Sequence, residues 1–461
     1  MRWSRALLCF ALLPAACAGP AIETAQVAPV VPPQGWRTDL PQAAALDERW
    51  WQAFGDPLLA SLVERALADN LDVAVAGARI RDARAQIAAA RAALLPTLDL
   101  AAGGSHARAV SPFGTPNEQT AAQPQMQIAW EADLFGRLSD QASAARSAWL
   151  ASVAARDAVR LSIAATVASG YVTLLALDER LAVARQTVEA RSQALQLIQR
   201  RSDAGYSPRL ELAQAQAEYE AARQIIAPLM QATARQENAL RLLAGDLPGP
   251  VARTASLAAL AQPAVPEGLP SDLLRRRPDV AQAEFQLAAA DHALAAARKR
   301  FLPQLRLTGS AGVAFSTLLA DPITLWSVGG SVLAPLFQGG RLRAGAESAG
   351  AQRDQAAFAY RRTALNAFRE VEDALMGVAT ADEQVRIGTA QRDALAEAFR
   401  LAGNRYRAGY SPFLEQLDAQ RGLLSAELNL VQARADAFTA RITLYQAMGG
   451  GWSRDLMAAA P

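Results

Sequence analysis

Cysteine and histidine are nearly missing from this 461-residue chain, which has two of each: Cys9, Cys17, His106 and His292. Both cysteines fall in the first seventeen positions, so neither a disulfide framework nor a cysteine-based metal site is available to the rest of the chain. Two separated histidines make no metal-binding cluster, and no Ser-His-Asp arrangement accompanies them. Gly329-Gly330 and Gly339-Gly340 lack the strand-to-helix setting that lets backbone N–H groups cradle a phosphate. Neither catalysis, a cofactor nor a metal is expected. A surplus of one charge is lacking too, with 46 basic against 44 acidic side chains. Removing a leader that holds Arg2 and Arg5 makes the two equal, which argues against a nucleic-acid partner. Beyond the first residues there is no run of eighteen apolar residues, so any membrane crossing by this chain falls to strands.

What is present starts with a secretory leader over residues 1–16. Arg2 and Arg5 form its basic region, residues 6–13 its short apolar stretch, and Pro14-Ala15-Ala16 the small residues before cleavage. Cys17 follows directly, and the arrangement resembles a bacterial lipoprotein signal whose cysteine is acylated, although Pro14 stands where that pattern favours Leu. The alternative is an ordinary signal peptide with a coincidental cysteine. Residues 17–46 are rich in Pro and Ala without periodicity and read as a tether.

The remainder is duplicated. Asn70-Leu71-Asp72-Val73 returns as Arg277-Pro278-Asp279-Val280, and Leu95-Pro96 returns as Leu302-Pro303 at the same displacement. Gly205-Tyr206-Ser207-Pro208 returns unchanged as Gly409-Tyr410-Ser411-Pro412, and Leu134-Phe135 as Leu336-Phe337. Two repeats are therefore expected, residues 47–250 and 251–448, followed by a tail, 449–461. Each repeat holds a helix, a β-hairpin (about 97–135 and 304–337) and a long helical hairpin (about 137–244 and 341–448).

Residues 137–207 and 341–411 contain no proline and are dominated by strong helix formers, so each predicts one very long helix. In both, Gly followed two residues later by Ser-Pro ends one helix and starts the next, because Gly accepts the left-handed cap and Pro suits a first turn. The returning helix of the second repeat carries a heptad seam through Leu417, Arg421, Leu424, Leu428, Val431, Ala435, Phe438, Ile442 and Tyr445. Leu212, Ala215, Tyr219, Ala222, Ile226 and Leu229 form its counterpart, where Pro228 predicts a bend. Abundant alanine permits close helix approach on more than one face, which suggests a ring of helices; an ordinary bundle is the alternative. Met126, Ile128, Trp130, Ala132 and Leu134 alternate with Gln125, Gln127, Ala129, Glu131 and Asp133 over the length of a membrane strand. Residues 97–109 and 125–135 flank a loop at 111–117, and residues 304–309 and 328–337 make the second pair. Four strands per chain leave edges that lipid does not tolerate, so closure requires other copies. Composition by itself also permits a soluble antiparallel sheet.

The chain resembles the TolC/OprM-like outer-membrane efflux proteins over essentially its whole mature length. The resemblance rests on Asn404-Arg405-Tyr406-Arg407-Ala408-Gly409, on Leu417-Asp418-Ala419-Gln420-Arg421, and on the ending Leu444 to Trp452 with its three glycines. Trp50-Trp51, Phe54, Asp56-Pro57-Leu58, Asp133-Leu134-Phe135-Gly136-Arg137 and Arg276-Arg277-Pro278-Asp279-Val280 support it. The fold class implied is mainly α with a transmembrane β part: three chains forming a twelve-stranded barrel and a twelve-helix tunnel. The resemblance implies a homotrimeric exit duct in outer-membrane lipid, served by a periplasmic adaptor and an inner-membrane pump. It places a periplasmic gate at Leu414 and Asp418, one turn apart on one helix face, with Tyr406 and Arg421 in support. The hairpin tips are Gly205, Tyr206, Pro208, Gly409, Tyr410 and Pro412. For Asp418 the plainer reading is a solvated acid near a helix start; for Arg421 and Tyr406 it is an exposed arginine and a packed tyrosine. A type I secretion duct and a periplasmic coiled-coil scaffold are the competing functions. Cys17 and the Gly-Gly-Gly-Trp ending favour efflux over secretion.

Overall fold

The structure, a computed structural model, describes residues 23–38, 42–44, 46–110, 112–266, 268 and 270–454. Cys17 lies outside the described residues. In chain order the helices are α1 (Pro57–Asp69), α2 (Leu71–Ala92), α3 (Arg137–Asp203), α4 (Arg209–Leu243), α5 (Pro270–Arg276), α6 (Pro278–Lys299), α7 (Arg341–Arg407) and α8 (Phe413–Ala447). The strands are β1 (Gln42–Ala44), β2 (Thr97–Val110), β3 (Pro116–Ala132), β4 (Val265–Pro266), β5 (Gln304–Ser316) and β6 (Ile323–Leu333). Contacts divide the chain into two compact units. Among the described residues, one comprises Ala78–Val153 and Gln282–Arg362 with residues 23–29; the other comprises Val30–Gly77, Ala154–Ala281 and residues 363–454.

The long helices follow from composition and from their ends. α3 and α7 each run 67 residues, about 100 Å at 1.5 Å per residue. The most apolar stretch of α3 is long enough to cross a membrane, but over half of it is buried within the protein. Asp133 starts α3 by accepting from the N–H groups of Leu138 at 2.9 Å and Ser139 at 2.8 Å, satisfying orphan donors of the first turn. α4 continues through Pro228, whose ring is exposed, so proline does not end the helix.

The duplication reappears in how helix ends are joined. Asn70 caps α2 through the N–H groups of Asp72 (2.8 Å) and Val73 (3.3 Å), and its amide donates to the Leu243 carbonyl at the end of α4. At the matching position, Arg277 donates to the Ala447 carbonyl at the end of α8 at 2.9 Å. Different side chains thus perform one task in the two repeats. The main core of the second unit surrounds Trp50, Phe54, Tyr171, Leu174, Phe438 and Tyr445, with Trp50 stacked on Tyr445 at 5.6 Å between ring centres. Gly449, Gly450 and Gly451 all hold positive φ there, and a Cβ on Gly449 would collide with the Arg276 carbonyl.

In the first unit, β2, β3, β5 and β6 form one antiparallel sheet in that order, joining the hairpins of both repeats. β3 begins at Pro116, so residues 117–124 lie in the strand and the loop before it is shorter than the sequence pattern suggests. β6 ends at Leu333, leaving Leu336 and Phe337 outside the sheet, as expected where Pro335 has no N–H to donate.

Candidate functional site

The sheet register sorts side chains onto two faces. Leu100, Met126, Ala311 and Trp326 form one continuous row, and Leu98, Ile128, Gly309 and Val328 the next, so along these rows this face is apolar across all four strands; His106, Arg108 and Glu118 share its parity nearer the β2–β3 turn. Trp326 is 76% exposed and Val328 83%, which no water-facing sheet would sustain over such an area. The opposite face carries the row Asp99, Gln127, Ser310 and Ser327, with the two serine hydroxyls 2.8 Å apart. Ile323, Leu325 and Leu333, all on β6, are its large apolar exceptions. One apolar and one polar face with period two is the pattern of a lipid-embedded wall around an aqueous lumen. The outer edges of β2 and β6 have no strand partner among the described residues.

The helical hairpins end in two copies of one turn. Gly205 and Gly409 adopt φ of 80° and 77°, Tyr206 N–H bonds the Arg201 carbonyl at 2.7 Å, and Tyr410 N–H bonds that of Arg405 at 2.9 Å. This six-to-one closure satisfies carbonyls the helix would leave open. Pro208 and Pro412 then precede α4 and α8 in extended conformation. The tyrosines of both turns project outward, Tyr206 84% and Tyr410 81% exposed.

Beside these turns the two hairpins are tied together. Ile198 and Ala215 of the first pack against Phe413 and Leu417 of the second. Tyr406 lies 5.2 Å from Phe413 between ring centres and donates to Glu211 at 3.1 Å. Burial, reinforced by Glu211, holds the Tyr406 phenol above its ordinary value of 10. Arg421 Nε donates to Glu218 at 2.7 Å, and Arg191 bonds the same carboxylate at 2.9 Å from within α3. Glu218 and Arg191 are buried, whereas Arg421 is half exposed and reaches Asp418 at 3.6 Å. Leu414 and Asp418 are themselves exposed on α8, on the face that also carries Arg421. Glu211, Glu218 and Arg191 were not singled out in the sequence.

A model of the outer membrane efflux protein family matches residues 62–246 and 269–450, most of both repeats. The chain belongs to this family. Among its relatives, the pyoverdine export outer membrane protein OpmQ of Pseudomonas putida is 35% identical, covering 95% of this chain and 96% of its own. The toluene efflux pump outer membrane protein TtgC of P. putida is 33% identical over 90% of this chain and 87% of its own. The solved outer-membrane channel OprN superposes with a TM-score of 0.86 at 28% identity, covering 95% of this chain and 99% of the other. The open state of the Neisseria gonorrhoeae MtrE channel superposes at 0.83 with 30% identity, covering 95% and 98%. This member is accordingly an outer-membrane efflux channel, mainly α-helical with a β-barrel part.

Proposed function

We propose that three copies of this chain form one passive exit duct, in which β6 of each copy pairs with β2 of the next to close a twelve-stranded barrel. The observation that carries this reading is the four-stranded sheet, whose two faces divide into apolar and polar while both edges lack a strand partner among the described residues. Closure satisfies the edge N–H and C=O groups, which bilayer hydrocarbon would otherwise leave unpaired at several kcal/mol each. The helical hairpins of the three copies then continue the duct as a tunnel of twelve helices.

Leu414 and Asp418 narrow the tunnel entrance, three leucines making an apolar constriction and three carboxylates an acidic one that favours cations. Tyr406 and Arg421 hold the closed arrangement by anchoring the second hairpin to Glu211 and Glu218 of the first. The tips at Gly205, Tyr206, Pro208, Gly409, Tyr410 and Pro412 receive a periplasmic adaptor that couples the duct to an inner-membrane pump. Acylation of Cys17 tethers the mature chain to the membrane. The duct performs no chemistry. OpmQ exports pyoverdine and TtgC serves toluene efflux by name, so small organic compounds are the expected cargo.

Single-channel conductance in a planar bilayer tests the reading. The wild type is expected to insert as a trimer with small, flickering conductance, and the Leu414→Ala, Asp418→Ala double variant to open wider. Absence of conductance from both forms would sink the duct in favour of a periplasmic scaffold. Metabolic labelling with palmitate tests the anchor: label lost in Cys17→Ser supports it, and label never present in the wild type rejects it.

A further inference from the structure

The polar face of the sheet carries only three charged residues in its four strands: Asp99 on β2, Glu131 on β3 and Arg306 on β5. Arg108, Glu118 and His106 fall on the other parity, where Arg108 stands opposite Glu118 and His106 lies 2.9 Å from the Thr120 hydroxyl. Of the three, Glu131 is matched, its carboxylate bonded to Arg137 at 2.6 Å. Asp99 and Arg306 are exposed and make no salt bridge among the described residues. Asp99 belongs to the row of Gln127, Ser310 and Ser327; Arg306 belongs to the row of Glu131 and Ser331. The two rows are four residues apart on β3, about 13 Å along the strand. Between and beyond them the polar face offers amides, hydroxyls, alanine and glycine, with Ile323, Leu325 and Leu333 of β6 as its uncharged apolar members.

We infer that the barrel lumen contains a two-sign electrostatic filter, an Asp99 ring and an Arg306 ring, separate from the acidic constriction at the hairpin tips. The inference rests on the trimeric duct reading, since a ring needs three copies. Twelve strands about 4.8 Å apart and tilted as barrels require enclose a backbone circle about 24 Å across. That is comparable with a Debye length of about 30 Å at 0.01 M salt and far larger than about 3 Å at 1 M. In dilute salt, therefore, each ring acts on the entire cross-section, while in concentrated salt each is confined to the wall. Because the rings oppose one another, the barrel imposes little net preference by charge. It suits neutral and zwitterionic cargo, which meets mainly hydroxyls and amides along the wall.

Reversal potentials across a KCl gradient read this out, in the Leu414→Ala, Asp418→Ala background so that the tip ring does not dominate in series. Asp99→Asn is expected to shift the K+/Cl− permeability ratio toward chloride, on the order of two-fold near 0.01 M salt. Arg306→Gln should shift it toward potassium by a similar factor, and both shifts should vanish near 1 M. Trimer migration on a gel confirms that each variant assembles. Unchanged ratios in a conducting protein, or shifts of the same sign, overturn the filter and leave the duct standing. Failure of the parent background to conduct overturns the duct and the filter with it.

Discussion

Glu218 is the residue on which the two hairpins meet, held by Arg191 from one side and Arg421 from the other. Arg421→Gln leaves a buried carboxylate with one cationic partner, which costs more than an exposed pair of equal geometry would suggest. A double-mutant cycle with Glu218→Gln should yield a coupling of about 1–2 kcal/mol in thermal unfolding, and the single variant should raise mean open time in bilayers. A coupling near zero would make Arg421 an ordinary surface arginine. Tyr406→Phe removes the phenol's bonds to Glu211 and Arg201 and keeps the ring against Phe413, so about 1 kcal/mol is expected. Since the Tyr406 pKa is raised, its contribution is complete below pH 10 and disappears only as pH climbs through the raised value. Conductance of the wild type should therefore show no tyrosine-linked step between pH 6 and 9. Legibility at this scale was uneven. Arg421 stands out as a charge within an apolar seam, but Glu218 sits beside Ala217, the position that matches Arg421 when the two Gly-Tyr-Ser-Pro turns are aligned, and nothing local marks it.

The elements separate glycines that cap from glycines that are packed. Gly409 has φ of 77° with nothing within 4 Å of an added Cβ, so Gly409→Ala costs only the left-handed backbone, about 1 kcal/mol. Gly449 combines φ of 95° with a Cβ position overlapping the Arg276 carbonyl, so Gly449→Ala must displace backbone. It should lower the melting temperature of the protein by several degrees more than Gly409→Ala, measured side by side by heat-modified gel migration; equal effects would contradict the packing described. Both glycines are equally visible in sequence as helix-ending residues. Their different weights come from what lies opposite, which a linear pattern does not contain. The strands behave alike: alternation around Met126 to Leu134 announces β3, but its full extent to Pro116 follows from pairing with β2 along its whole length.

At the scale of the molecule, the assignment of faces can be tested by adjacent residues on one strand. Val328 lies on the apolar face and Ser327 on the polar face of β6. Val328→Arg should impair insertion by about 2–4 kcal/mol near the bilayer midplane, whereas Ser327→Arg should be accepted in the lumen. The readout is the yield of assembled protein in the outer-membrane fraction, and equal yields would mean the faces are misassigned. A one-residue shift in register would exchange the two outcomes, which makes the pair a sensitive probe of the sheet.

Sequence alone determined the duplication, the long proline-free helices, their Gly-Ser-Pro reversals and the alternation of the strands. All of these are local or periodic, set by backbone sterics, helix propensity and the two-residue repeat of a pleated strand. Tertiary structure decided which strand of one repeat pairs with which of the other, that Arg421 meets Glu218, and that Gly449 is packed while Gly409 is open. Such contacts join residues hundreds of positions apart, and their energies depend on burial and distance, which exist only once the chain has closed on itself.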